Sequence, residues 1–329
     1  MIKSGIGINQ SPGVKVQQMV EICQEAEHFG YDSCWAADQG LDTRDIFVTL
    51  AAIAQKTTTL RLGTGITHPF TRHPAVTASA IASLDELSGG RAFLGVSAGG
   101  IDTFIPLGVD RPKPVAATRE MIQISRALFK NEAVNFDGEL FHLKGARIDS
   151  GRSDIEIWMA ARGPKMIALG GEMADGILVD FIHKDFLQDF IDQIQVGAKI
   201  SGKKPKICYS TMIVTNERAL EEVRPLMFYR LLEPPQNVRE AIHLTQEDTE
   251  SLRREAARGG LLAAGKLIKD EWVEPFVFMG SIEKCATELT QFIKKYKIDE
   301  FMLPIMGVES APEIMSDVAK VMTLVNNGS

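Results

Sequence analysis

The chain has 329 residues, 45% of them hydrophobic and 24% charged, enough apolar surface for a substantial core and too little net polarity for a disordered chain. A formal net charge of −7, with Lys and Arg scattered along the chain, argues against a nucleic-acid binder, which needs a basic face for phosphate contacts. No window approaches the roughly 18 apolar residues of a membrane-spanning helix, and the opening MIKSGIGINQSPG has no signal-peptide apolar run, so a cytoplasmic protein without membrane partners is expected.

Short β-rich apolar runs alternate with amphipathic helical stretches, the pattern of repeated βα units around a parallel sheet. The first strand is predicted at residues 4–9 and the first helix at 16–29, where Val16, Met19, Val20, Cys23 and Ala26 share an apolar face by three-and-four spacing. Strands follow at 33–38, 60–67 and 92–98. Residues 130–154 carry Phe136-Asp137-Gly138-Glu139 between short apolar stretches, a small hairpin in a longer connection. Strands resume at 156–161, 176–181 and 207–214. Residues 216–274 are too long for a simple crossover and hold helical runs broken by Pro234-Pro235 and Gly259-Gly260. They are expected to form a helical insertion that packs through Leu226-Met227-Phe228 and Leu231-Leu232 on the barrel or on a second subunit. The last strand is at 301–305. Eight such units, with no Gly-x-Gly-x-x-Gly after the first strand, favour a single α/β domain over residues 1–329, a (β/α)8 TIM barrel, over a doubly wound open sheet.

In such a barrel the active site forms at the C-terminal strand ends. Four ends carry informative residues: Trp35-Ala36-Ala37-Asp38-Gln39, Gly63-Thr64-Gly65-Ile66-Thr67-His68-Pro69, Ser97-Ala98-Gly99-Gly100, and Ala160-Ala161-Arg162-Gly163-Pro164. Gly163 and Pro164 open a helix whose N–H groups form either a phosphate cradle or an ordinary helix start. Ser97 to Gly100 lets a planar ligand approach the backbone, although glycine turns are common at strand ends. The polar groups nearest the mouth that could deliver a proton are Asp38, Asp42, Asp102 and His68. Asp38 reads as an acid or as a structural carboxylate, Asp102 as an acid or as a helix N-cap before Thr103, and His68 as an acid or as a surface loop residue.

Cys23, Cys34, Cys208 and Cys285 lack CxxC spacing and read as buried, reduced thiols. His28, His68, His73, His142, His183 and His243 show no ligand spacing, so no metal is expected. Gly95-Val96-Ser97-Ala98-Gly99 formally matches a nucleophile elbow, which raises a serine hydrolase as a rival, but His183 and His243 are poor triad partners.

The run Gly63 to Pro69, then Arg72, Pro74-Ala75-Val76-Thr77-Ala78, Leu84-Asp85-Glu86-Leu87-Ser88 and Gly90-Arg91, resembles luciferase-like (bacterial luciferase superfamily) coenzyme F420-dependent oxidoreductases, nearest the methylene-tetrahydromethanopterin reductases. Trp35 with Asp38, Gly95 to Gly99, Ala161 to Met166, Gly171-Glu172 with Ala174-Asp175-Gly176, and Phe278-Met279-Gly280-Ser281 extend the likeness over most of the chain. The resemblance implies hydride transfer between a deazaflavin and a small organic substrate; a homodimer or higher homo-oligomer is expected from the apolar stretches of the insertion. It implies that Gly65-Ile66 is the family's non-prolyl cis peptide beneath the coenzyme's central ring. It also implies that Thr67, Ser97, Ala98 and Gly99 contact the ring system, that Ala161, Arg162, Gly163 and Pro164 anchor the phosphate, and that Asp38 is the family's acidic group on the second strand.

The departures are specific. Gly7 stands where these reductases carry Glu, Gly100 where they carry Asp, and Gln39 where many relatives carry His. That leaves Asp38 and Asp102 as candidate catalytic carboxylates. An FMN-dependent luciferase-like monooxygenase is the alternative, since the same barrel accepts a flavin, and a non-catalytic flavoprotein is a third reading.

Overall fold

The computed structural model describes residues 1–8, 14–305 and 307–328, apart from the side chain of Asp102. Among the described residues eight parallel strands close into a barrel. In chain order they are β1 (Lys3–Ile8), β2 (Ser33–Ala36), β3 (Arg61–Thr64), β4 (Ala92–Val96), β5 (Ile157–Ala160), β6 (Gly176–Asp180), β7 (Lys206–Ser210) and β8 (Glu300–Ile305). Each is hydrogen-bonded to its sequence neighbours, and β8 closes the ring onto β1 with Ser4 opposite Phe301. The main covering helices are α1 (Val16–His28), α2 (Ile46–Ala54), α3 (Pro74–Leu87), α4 (Pro114–Phe129), α5 (Pro164–Met173), α6 (Leu187–Ser201), α7 (Glu217–Leu232), α8 (Gln246–Gly265), α9 (Ile282–Tyr296) and α10 (Ala311–Asn327). Met19, Val20, Cys23 and Ala26 of α1 are buried, as the three-and-four spacing requires.

Two cores follow from strand alternation. Outward residues such as Ile6, Cys34, Leu62 and Leu94 pack under the helices in one continuous cluster. Inward residues fill the barrel with Trp35, Phe93, Trp158, Leu178, Cys208 and Met302. Their bulk is accommodated by inward glycines: a Cβ on Gly63 would lie 2.3 Å from the Phe93 ring, and one on Gly176 2.3 Å from the Trp158 ring. At the N-terminal floor Arg61 pairs with Glu156 at 2.7 Å and Glu300 at 2.9 Å, and Lys206 pairs with Glu156 at 2.6 Å. Side chains therefore fill the barrel interior and its N-terminal end.

The hairpin forms from antiparallel strands Val134–Asp137 and His142–Ala146. The helical insertion packs on its own chain: Met227, Phe228 and Leu231 are buried, and Leu226 and Leu232 pack against the main core. Pro234-Pro235 separates α7 from the next helix, and Gly260 (φ 76°) kinks α8. The four cysteines are buried and unbridged. Among the described residues no helix is long and apolar enough to cross a membrane.

Candidate active site at the barrel mouth

The ends of β2, β3 and β4 build one side of the mouth. Asp38 stands two residues beyond β2, half-buried, and its Oδ2 accepts a hydrogen bond from Thr67 Oγ1 at 2.6 Å. Thr67 is held by main chain on both sides: its N–H donates to the Gly95 carbonyl, and its carbonyl accepts from the Ser97 N–H, each at 3.0 Å. The Gly65–Ile66 peptide is cis. A Cβ on Gly65 would sit 2.6 Å from the Trp35 Cβ, and one on Gly95 2.0 Å from the Thr64 carbonyl oxygen. These close approaches leave Ile66 half-exposed above the interior aromatic cluster. Ser97, Ala98 and Gly99 continue this shelf and are likewise half-exposed.

His68 is 1% exposed, not a surface loop residue. Its ring lies edge-on to Phe104 at 4.6 Å, its Nδ1 accepts from the Phe70 N–H at 3.4 Å, and its Nε2 has no partner among the described residues. Burial lowers its pKa below the ordinary value against the opposing pull of the Asp38 charge, so the imidazole is neutral at neutral pH. Asp42 is exposed on the Gly40–Asp42 turn. Asp102 is inside the short helix Ile101–Phe104, where Gly100 holds the N-cap position, so it does not cap that helix. Its side chain lies outside the described residues. At the first strand, a Cβ on Gly7 would meet the Met302 Cε at 2.9 Å, so a methionine side chain occupies the space next to that glycine.

The ends of β5, β6 and β7 build the opposite side. Gly163 is the N-cap of α5 with Pro164 in its first turn, no side chain caps the helix, and the space on the Cβ side of Gly163 is open. Pro164 has no N–H, and the Met166 and Ile167 N–H groups both donate to the Gly163 carbonyl at 2.9 Å, so Lys165 carries the first N–H of α5 that is not used in this turn. Arg162, exposed beside this helix start, has its pKa lowered to about 10, chiefly by surrounding protein that excludes water and then by the Arg230 charge, with Asp180 opposing. It remains a cation at neutral pH. Asp180 ends β6, accepts a hydrogen bond from Ser210 Oγ at 3.0 Å, and pairs with Arg230, which reaches in from α7. Arg230 also lies over the Phe181 ring at 5.9 Å.

Asp180, Ser210 and Arg230 were not singled out from the sequence. Asp180 had a signal, because it falls near the end of a predicted strand. Arg230 had none, because docking of an insertion cannot be read from local pattern. The mouth thus has Asp38 with the half-exposed Ile66, Ser97, Ala98 and Gly99 on one side, and Arg162, Asp180 and Arg230 on the other. Among the described residues no cluster of His, Cys, Asp or Glu could hold a metal. Ser97 extends a strand of a closed barrel rather than an open hydrolase sheet.

The profile of the luciferase-like monooxygenases matches residues 1–296. The 5,10-methylenetetrahydromethanopterin reductase of Methanolobus tindarius is 31% identical over 294 residues, covering 87% of this chain and 90% of the relative. The enzyme of the same name from Archaeoglobus fulgidus is 32% identical over 299 residues, covering 88% and 90%. The coenzyme F420-dependent tetrahydromethanopterin reductase of Methanopyrus kandleri matches the fold with a TM-score of 0.86 over 97% of each chain at 25% identity. With the profile covering most of the chain and these relatives alongside it, the chain belongs to the luciferase-like monooxygenase family.

Proposed function

We propose that this protein is a coenzyme F420-dependent oxidoreductase that moves a hydride between the deazaflavin and a small organic substrate, in the manner of the methylenetetrahydromethanopterin reductases. The observation that carries this reading is the presence in one mouth of the Asp38–Thr67 shelf and the uncapped, cationic start of α5. Gly65, Ile66, Thr67, Ser97, Ala98 and Gly99 would bed the ring, and Ala161, Arg162, Gly163 and Pro164 would hold the phosphate through helix N–H groups and a fixed positive charge. When bound, the deazaflavin supplies hydride chemistry without oxygen activation, because carbon replaces the reactive ring nitrogen.

Asp38 is the carboxylate best placed to hold or deliver a proton at the substrate. Thr67 donates to one of its oxygens, leaving the other for a ligand. Asp102 is the second candidate, in the short helix Ile101–Phe104 that follows β4. We read residues 1–329 as one catalytic barrel with its insertion at about 216–274, acting in the cytoplasm. The exposed side chains of Leu41, Val48, Ile101 and Ile105 support assembly as a homodimer or higher homo-oligomer. The second reading, an FMN-dependent monooxygenase, is favoured by the matching family profile alone.

Titrating the purified protein separately with coenzyme F420 and FMN, followed by fluorescence quenching, tests the choice. Saturable F420 binding with weaker FMN binding is expected. Tight FMN binding with oxygen consumption would replace the proposal by the monooxygenase, and binding of neither would leave a non-catalytic barrel.

A further inference from the structure

The insertion helix α7 follows β7 but is tied to the strand ends on either side of it. Glu222, Leu226 and Arg230 share one face of α7 by four-residue spacing. Arg230 reaches Asp180 at the end of β6, and Glu222 reaches the loop after β8, so this face spans the rim of the mouth across the end of β7. Glu222 is half-buried, and its Oε1 accepts a hydrogen bond from Ser310 Oγ at 2.6 Å. The loop is fitted to that carboxylate, since a Cβ on Gly307 would lie 2.4 Å from Oε1. Ser310 holds the N-cap position of α10, where a serine hydroxyl ordinarily accepts from the helix N–H groups, yet it makes no such bond and donates to Glu222 instead. Among the described residues Glu222 accepts from no main-chain N–H of α10 and has no cationic partner, so it neither caps that helix nor neutralises a charge. Nor is it needed as a latch, because the start of α7 is already held to α10 by Thr215 to Asp317 at 2.8 Å and Asn216 to Glu313 at 3.2 Å. One oxygen is held by a hydroxyl and the other is left over, as at Asp38 with Thr67. A carboxylate so fixed is ready to accept from a ligand.

We propose that Glu222 is a specificity-determining residue of the mouth, whose second oxygen receives an N–H or O–H donor of the substrate, with Ser310 fixing the carboxylate and Gly307 making room for it. The insertion thereby adds a substrate contact on the β8–β1 side, where Gly7, opposite Pro304 of β8, brings no side chain. The proposal rests on reading the mouth as the substrate site, and it assigns Glu222 to the substrate rather than to the coenzyme.

Labelling of carboxylates with a water-soluble carbodiimide and glycinamide in the full-length protein, mapped by mass spectrometry, reads the occupancy of Glu222 without turnover, with exposed Glu247 as the internal reference. Methylguanidinium and 5,10-methylenetetrahydromethanopterin serve as probes. Methylguanidinium is expected to halve the labelling of Glu222 at a concentration about tenfold lower than it needs at Glu247, and Ser310→Ala should remove most of that preference. Methylenetetrahydromethanopterin, its binding measured by calorimetry, should protect Glu222 and bind about tenfold more weakly to Glu222→Gln, while F420 affinity and the unfolding midpoint of that variant stay unchanged. Equal methylguanidinium protection at Glu222 and Glu247 would overturn the proposal. So would methylenetetrahydromethanopterin that binds without protecting Glu222 or binds Glu222→Gln as tightly as the wild type, and a lowered midpoint with it would make Glu222 a latch. Protection by F420 alone would move the contact to the coenzyme and overturn the assignment to the substrate. Methylenetetrahydromethanopterin that fails to bind the wild type at all would count against the reductase reading instead, and the methylguanidinium result would then decide the role of Glu222 by itself.

Discussion

Replacing Arg61 by Met tests the division between a stabilising floor and a functional mouth. Arg61 donates to Glu300 at 2.9 Å and to Glu156 at 2.7 Å, with its guanidinium 5.3 Å from the Phe93 ring centre. Glu156 keeps Lys206 at 2.6 Å when Arg61 is removed. The Glu300 side chain, 4% exposed, is left as a buried carboxylate without its cation. Breaking a buried pair by removing one partner costs about 3–5 kcal/mol, and the partial exposure of Arg61 places the loss near the lower end, about 3 kcal/mol. Unfolding entropy of about 2.1 cal/mol/K per residue gives roughly 0.7 kcal/mol/K for this chain, so the midpoint should fall by about 4 °C. Thermal unfolding followed by circular dichroism measures this, alongside F420 affinity, which should not change. Arg61→Met combined with Glu300→Gln should recover more than half of the loss, because the unpaired charge is gone. A midpoint within about 1 °C of the wild type, or a double variant no better than the single, would refute the reasoning.

Asp38→Asn keeps an oxygen for Thr67 but cannot deliver a proton, so turnover at saturation should fall about 100-fold with coenzyme affinity nearly unchanged. Weaker coenzyme binding with intact turnover would make Asp38 a positioning residue. Burial pushes the Glu27 pKa up, but hydrogen bonds from Thr59, Thr58 and Leu60 outweigh it and hold the carboxyl at about 2, below its ordinary 4.5. Its contribution should therefore be complete above about pH 4.5 and fade as pH falls through about 2. Because solvent screens this group, Glu27→Gln should cost only about 1 kcal/mol at neutral pH, a difference that urea unfolding at descending pH should show shrinking. A pH-independent difference would exclude the charge as its cause. Gly7→Glu should destabilise by about 1–3 kcal/mol through collision with Met302, and adding Met302→Ala should relieve that cost. Strictly additive effects in denaturant unfolding would show that the two positions do not share space.

The βα rhythm was legible because each barrel strand is a short apolar run between turn residues, and its helical cover carries a different period. Strand ends were less legible where tertiary partners decide them. The segment predicted at 60–67 stops being a strand at Thr64, and the chain returns to the sheet at Thr67 through a single bridge to Val96. The segment predicted at 207–214 divides after Ser210: Thr211 donates its hydroxyl to Phe276, and Ile213–Val214 pairs with Phe278–Met279 outside the barrel. No local pattern announces a partner so distant in sequence. His68 was ambiguous for a related reason: its loop, bounded by Pro69, reads as surface, whereas Phe104 and Phe70 fold over it.

The same distinction separates Gly7 and Gly100, the two glycines that the resemblance sets against acids in the reductases. At Gly7 the Met302 thioether lies within reach of any added side chain, so the interior has been repacked and a carboxylate would need a second change to fit. Gly100 is exposed, with no atom within 4 Å of where a Cβ would stand, so its loss leaves no hole and widens the approach to the mouth. Two carboxylates at the strand ends are Asp38, held by Thr67, and Asp180, held by Ser210 and Arg230. Asp180 is thus committed to two partners while Asp38 is committed to one.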